Sequence, residues 1–338
     1  MKSNIDELAD NINNSSLLIL GGTGLFAKEL LPRLINRIER KNIKTVIYIT
    51  TRSKTKAISF IPEIKKSYIR FITVDFLKNN EIGIDINPKY IIHMATTSAY
   101  ETFNKISQLS KFLVLKNSSE AVSKLIEKND VKRLLFVSSG VAYGDVEIYD
   151  ENTKACLDYL DSKNSLAVGK LYSEFLLNSV CEANNTEFKI ARCFSFISKY
   201  LPYDIHYAVG NFVRDAVNEK DIVIKSDGKD IRSYQDISDA VEWLSFLLNK
   251  DFPYKVINIG SDIGITIYDL AKKVKHLLNT NSKIIVKNNN IIDDNNKRVN
   301  YVPSLKLAYK IGLKQRVKLE DSIIKLAEHI KKENLNNV

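Results

Sequence analysis

Leu17-Leu18-Ile19-Leu20-Gly21-Gly22-Thr23-Gly24-Leu25-Phe26-Ala27 decides the fold. An apolar run long enough for a buried strand meets a glycine turn, and the turn opens an amphipathic stretch from Leu25 to Arg40. That stretch reads as a helix with Pro32 as an internal kink. The same alternation continues outward. Thr45–Thr50, Ile69–Val74, Tyr90–Met94, Arg133–Val137 and Phe188–Phe194 read as further strands, with Leu109–Lys128 and Asn164–Ala183 as helices among them. Strands alternating with helices predict βαβ units, so the expected fold class is α/β, a doubly wound parallel sheet. After Phe196 the pattern loosens, and Pro202, Gly210, Gly228, Pro253, Gly260 and Gly264 punctuate shorter elements. A smaller C-terminal lobe is expected there. The expected boundaries are 15–195 for the first domain, with returning elements at about 222–258, and 196–221 with 259–330 for the lobe. Residues 1–14 and 331–338 are expected to be frayed termini, and Asn288–Asn296 a polar loop.

Composition narrows the class. The chain has 338 residues, 44% of them apolar and 27% charged, enough to bury a proper core. Lys+Arg 50 against Asp+Glu 40 gives a net charge of +10, but basic residues are spread along the chain and alternate with acids. The charge therefore reads as drift with some attraction for phosphate-bearing small molecules, ahead of a nucleic-acid surface. Cys156, Cys181 and Cys193 show neither a disulfide framework nor metal-ligand spacing, which implies a reduced cytoplasmic setting and no metal. No apolar run approaches the roughly 20 residues of a membrane helix, and Leu17–Leu20 is too short for a signal peptide.

The glycine turn has its own chemistry. Gly21 permits the tight turn, and Gly24 lets the backbone approach a pyrophosphate at the positive end of the helix. Thr23, Leu25 and Phe26 complete that cradle, and Ala27 stands where close helix–strand packing needs a small residue. An acid after the second strand would bind a ribose 2′-OH, but the sequence there is Thr50-Thr51-Arg52-Ser53-Lys54. Arg52 leans the reading toward NADP over NAD, a solvated loop charge being the alternative. Asp75 and Phe76, after the third strand, suit an adenine contact.

Several ordered motifs together resemble the extended short-chain dehydrogenase/reductases, the NAD(P)-dependent nucleotide-sugar epimerases and dehydratases, over about residues 15–325. They include the glycine turn, Ile92-His93-Met94-Ala95, Asn117, and Val137-Ser138-Ser139-Gly140-Val141-Ala142-Tyr143-Gly144. Gly169-Lys170-Leu171-Tyr172-Ser173-Glu174, Gly210-Asn211-Phe212-Val213 and Ile231-Arg232-Ser233-Tyr234 follow in order. The resemblance implies a Rossmann-like domain with a substrate-binding lobe, hydride transfer at a sugar carbon, and a homodimer through the faces of 101–128 and 164–183. It places Ala95 at the cofactor, Ser139 at the reacting oxygen and Lys170 at the nicotinamide ribose.

In that family a tyrosine four residues before the lysine takes the alcohol proton, with its pKa lowered by the lysine. This chain has Leu166 there, and Ser195 and Ser198-Lys199 where the family has asparagine and Gly-Pro. Three readings stand open. Another group acts as base, Tyr143 or a desolvated Lys170; the step needs no alcohol oxidation, as in reduction or epimerisation of a keto-sugar; or the chain is a catalytically impaired homologue that binds cofactor and sugar nucleotide as a regulatory or partner subunit. On the substrate side, the resemblance matches Arg232 to a diphosphate contact and Asn211 to a diphosphate or sugar contact, with a helix N-cap as the alternative for Asn211. Arg298 is a further phosphate candidate. His206 is the histidine to consider for acid–base work, with a structural role the stronger reading, and His93 reads as packing.

Overall fold

The computed structural model describes residues 3–97, 100–101, 106–205, 207–287 and 299–336. His206, Arg298 and the Asn288–Asn296 loop lie outside them. The chain divides into two compact units. The first comprises Met1–Val146, Glu151–Cys193 and Ala240–Ile259; the second comprises Glu147–Asp150, Phe194–Asp239 and Gly260–Val338. The return to the first unit is therefore 240–259, and 222–239 belongs to the second unit, unlike the sequence expectation.

In the first unit the strands are β1 (Ser15–Leu20), β2 (Thr45–Thr51), β3 (Ile69–Thr73), β4 (Tyr90–His93), β5 (Arg133–Ser139) and β6 (Glu187–Cys193). With Val256–Ile259 they form one seven-stranded sheet, ordered Val256–Ile259, β6, β5, β4, β1, β2, β3. Every pairing is parallel. The strands are almost continuously apolar because a parallel sheet is covered on both faces. The order reverses at β1, which pairs with both β2 and β4. Ligands of open α/β sheets bind at such a switch point, beyond the carboxyl ends of the strands.

The expected helices form as α2 (Leu25–Arg40), α4 (Gln108–Lys128) and α5 (Ser165–Ala183), with a short α3 (Lys54–Phe60) between β2 and β3. Helix α2 runs through Pro32, burying Ala27, Leu30, Leu31, Leu34, Ile35 and Ile38 on one stripe. That burial outweighs the hydrogen bond the proline cannot donate.

The expectation of frayed ends fails on both sides. Asn4–Asn11 is a helix, α1, with a capping box between Ser3 and Asp6 and buried Ile5, Leu8 and Ala9. Its Asp6 pairs with Arg37 of α2 at 2.6 Å. The last helix of the chain, Leu319–Asn336, continues past 330. Its Ile323, Leu326, Ala327 and Ile330 join the second unit's core, with Phe212, Val213, Ile222, Leu270 and Val274. In both termini the apolar spacing of an amphipathic helix was present among many polar residues.

Candidate active site

The turn after β1 has the expected backbone. Gly21 takes a left-handed φ of 82°, and a β-carbon there would sit 2.8 Å from the Met94 and Ala95 backbone. The turn is thereby pressed against the end of β4, which brings the candidates Gly21 and Ala95 together. Gly22 abuts Ile49 of β2, so a β-carbon would meet the Ile49 Cγ2 at 2.0 Å. Gly24 is the N-cap of α2 and offers no side-chain acceptor to the first amides of the helix. A β-carbon on Gly24 would come within 3.2 Å of the Gly21 carbonyl oxygen. An uncapped helix N-terminus reached through a glycine backbone suits a pyrophosphate, so these residues fit a dinucleotide.

Around β2 and β3, Arg52 forms a two-pronged pair with Glu101. Its hydrogen bonds to Glu101 are the leading influence raising the Arg52 pKa, and Asp75 adds attraction. Asp75 accepts from the Leu77 amide at 3.1 Å, and the Phe76 carbonyl accepts from Asn117 Nδ2 at 2.8 Å. Glu101 was not picked out from the sequence, because nothing local marks a partner 49 residues away.

Ser139 ends β5 and accepts from the Val141 amide at 3.3 Å. Lys170, on α5, points into the interior: 4% of the residue is exposed, and Nζ donates to the Val137 carbonyl oxygen at 2.7 Å. Nζ also lies 4.8 Å from the centroid of the Phe136 ring. Burial pulls its pKa down to about 8, against the raising pull of Cys193 and Glu174. Leu166 is half-buried in the first turn of α5.

Tyr143 requires a correction. The residue is 0% exposed, its hydroxyl donates to Asn258 Oδ1 at 2.8 Å, and the Arg192 guanidinium lies 4.3 Å over its ring. Burial pushes its pKa up to about 12. Enclosed and already bonded, the phenol is a packing group and not the fallback proton donor. His93 is buried edge-on to Phe136, and burial takes its pKa down to about 3, as a neutral packing histidine.

A buried ionic network lies beside Lys170. Glu174 Oε1 accepts from Ser138 Oγ at 2.5 Å and from Arg192 Nε at 3.1 Å, and Oε2 accepts from Arg192 Nη2 at 2.7 Å. Breaking one partner of such a pair costs about 3–5 kcal/mol, because the other charge stays buried. Ser138, Glu174 and Arg192 each stand in a stretch that resembles the family's motifs, but nothing in the sequence shows that the three bond one another.

In the second unit Arg232 lies with its guanidinium 5.6 Å from the centroid of the Tyr301 ring and 3.9 Å from Asp230. Tyr301 packs against Phe194 and Tyr149 at 4.7 and 5.2 Å between centroids. Asn211 lies inside the helix Ala208–Val217, whose N-cap is Tyr207, so the N-cap alternative does not hold. Its Nδ2 donates to the Ile205 carbonyl at 2.8 Å, and its Oδ1 is buried without a hydrogen-bond partner among the described residues. Among the described residues no group of three His, Cys, Asp or Glu could hold a metal ion, and no helix is long and apolar enough to cross a membrane.

Residues 17–260 match the NAD dependent epimerase/dehydratase family. The chain is 26% identical over 290 residues to UDP-glucuronic acid decarboxylase 4 of Arabidopsis thaliana, covering 83% of this chain. It spans 61% of that relative's length. An epimerase of Methanothermobacter thermautotrophicus superposes with a TM-score of 0.80 at 17% identity, over 98% of this chain and 96% of that one. UDP-glucuronic acid 4-epimerase of Bacillus cereus, solved with UDP-glucuronic acid and NAD, gives 0.71 at 16% identity, over 94% and 99%. At these identities the two structures show the shared fold.

Proposed function

The chain belongs to the NAD dependent epimerase/dehydratase family, and on that premise we propose that it modifies a nucleotide-activated sugar with a nicotinamide dinucleotide as cofactor. The observation that carries this reading is the meeting of three elements at one edge of the sheet. The glycine turn, the Ser139 strand end and the Lys170 helix all follow parallel strands at their carboxyl ends. The decarboxylase relative and the epimerase neighbour both carry UDP-glucuronic acid in their names, so a UDP-sugar of that class is the proposed substrate.

When bound, the nicotinamide supplies the hydride acceptor for a sugar alcohol. The Gly21–Gly24 turn and the α2 N-terminus hold the pyrophosphate. Ser139 hydrogen-bonds the reacting oxygen. Lys170 has three donors, of which Val137 takes one, and the others serve the ribose. With a pKa near 8 its amine can also accept a proton at modest cost, which a leucine at 166 cannot do. Arg232 of the second unit is the proposed diphosphate contact, with Asn211 a sugar or phosphate contact. The Arg52–Glu101 pair supports NAD over NADP, because a 2′-phosphate would compete with a carboxylate already holding the guanidinium. Exposed Leu109 and Phe175, at 65% and 73%, support a homodimer through α4 and α5.

The test is to incubate the protein with NAD and UDP-glucuronic acid, then other UDP-sugars, and follow the sugar by proton NMR. A new sugar nucleotide is expected. Leu166 favours a second reading, a subunit that binds both molecules without turning them over. Tight binding of cofactor and UDP-sugar with no new product would establish it.

A further inference from the structure

Glu174 stands where three elements meet. It lies one helical turn after Lys170 on the same face of α5, as the i, i+4 spacing requires. Its carboxylate binds Ser138, the residue before Ser139 on β5, and Arg192, the residue before Cys193 on β6. The register places Ser138 opposite Arg192, and Arg192 opposite Asn258. Asn258 in turn accepts from Tyr143, over whose ring the Arg192 guanidinium lies. The anchor thus runs from the helix across three adjacent strands. Ser138, Glu174 and Arg192 are all more than nine-tenths buried, so bulk solvent screens the network little.

We propose that Glu174 is a positioning residue for Lys170: through Ser138 and Arg192 it ties the lysine's helix to the Ser139 strand end, and it supplies the buried negative charge that faces the lysine. This rests on the reading of Lys170 as a cofactor contact. The groups that act on the ammonium are Cys193 from β6, Glu174 from its own helix and, across from β4, His93. Burial keeps Cys193 a thiol, with its pKa pushed up to about 12, and keeps His93 an imidazole. Glu174 is the anion among them, and Arg192 offsets part of its charge. With Glu174 neutral, Lys170 loses its proton at lower pH and its helix loses the tie to β5.

The test is NAD affinity measured by calorimetry between about pH 6 and pH 10, beside a thermal melt of each variant. Wild-type affinity is expected to fall with a midpoint near the Lys170 pKa of about 8. In Glu174→Gln the midpoint moves down by about one pH unit, the usual size of a nearby-charge effect. Glu174→Asp keeps the charge and returns the midpoint toward wild type. A folded Glu174→Gln with an unmoved midpoint overturns the proposal. Should Glu174→Gln fail to melt cooperatively, Ser138→Ala decides. It leaves the ion pair intact, and a threefold or greater loss of NAD affinity (roughly one lost hydrogen bond of positioning) supports the tie, whereas unchanged affinity overturns it. Lys170→Met is the separate control. If it keeps wild-type affinity and pH dependence, the cofactor role of Lys170 fails; if it loses both while Glu174→Gln changes nothing, only the Glu174 proposal fails.

Discussion

Lys170 donates to the Val137 carbonyl oxygen at 2.7 Å from a position with 4% of the residue exposed, so this α5 residue is an interior amine. Its pKa is lowered from 10.5 to about 8 by burial. Between those values the unfolded chain holds a proton that the folded chain has released. Stability from this group therefore rises with pH across that window, and its desolvation penalty is fully present below it. Lys170→Met should lack the rise. Urea unfolding of both proteins near the two ends of the window measures it, and the wild type is expected to gain on the order of 1–3 kcal/mol relative to the variant. Parallel curves would show that the lysine is solvated.

Leu166→Tyr places a phenol four residues before Lys170, within reach of its charge on one helix face. General-base catalysis is typically worth about 10²–10⁴-fold. The variant should reduce NAD with a UDP-sugar about a hundredfold or more faster than wild type, read as absorbance of the reduced nicotinamide. An unchanged rate would mean that a group other than the residue at 166 sets the oxidation step.

The proposed preference for NAD over NADP rests on the Arg52–Glu101 pair. Glu101→Gln frees the guanidinium for a 2′-phosphate. It should raise NADP affinity about tenfold while leaving NAD within about twofold, the difference being about one charge-assisted hydrogen bond. Titration with each dinucleotide checks this. Equal effects on both would place the pair away from the ribose.

Gly21→Ala should destabilise the chain by about 2 kcal/mol and abolish dinucleotide binding. Its φ of 82° disfavours any side chain, and the β-carbon would press on the backbone of Met94 and Ala95. Thermal unfolding and NAD titration read the two effects.

Most of the sheet was legible because βαβ units write themselves locally. Leu17–Leu20, the glycines and the apolar stripe of α2 need no distant partner to be recognised. The second unit was less so. Its strands Ile231–Arg232, Gln235–Asp236 and Ile265–Thr266 are two residues each, too short to show a period. The termini were misread because α1 and the last helix present few apolar residues among many polar ones. Ser139 and Lys170 could be named from the family resemblance, but the burial of Tyr143 could not. It depends on Asn258 and Arg192, 115 and 49 positions further along the chain. The Glu101 partner of Arg52 was hidden for the same reason.

Mass spectrometry of the small molecules released when freshly purified protein is denatured tests the central claim most directly. The account predicts a nicotinamide dinucleotide, and on prior soaking with a UDP-sugar, that nucleotide together with its oxidised or otherwise altered sugar. Release of neither dinucleotide nor sugar nucleotide, from protein that melts cooperatively and has been offered both, would contradict it.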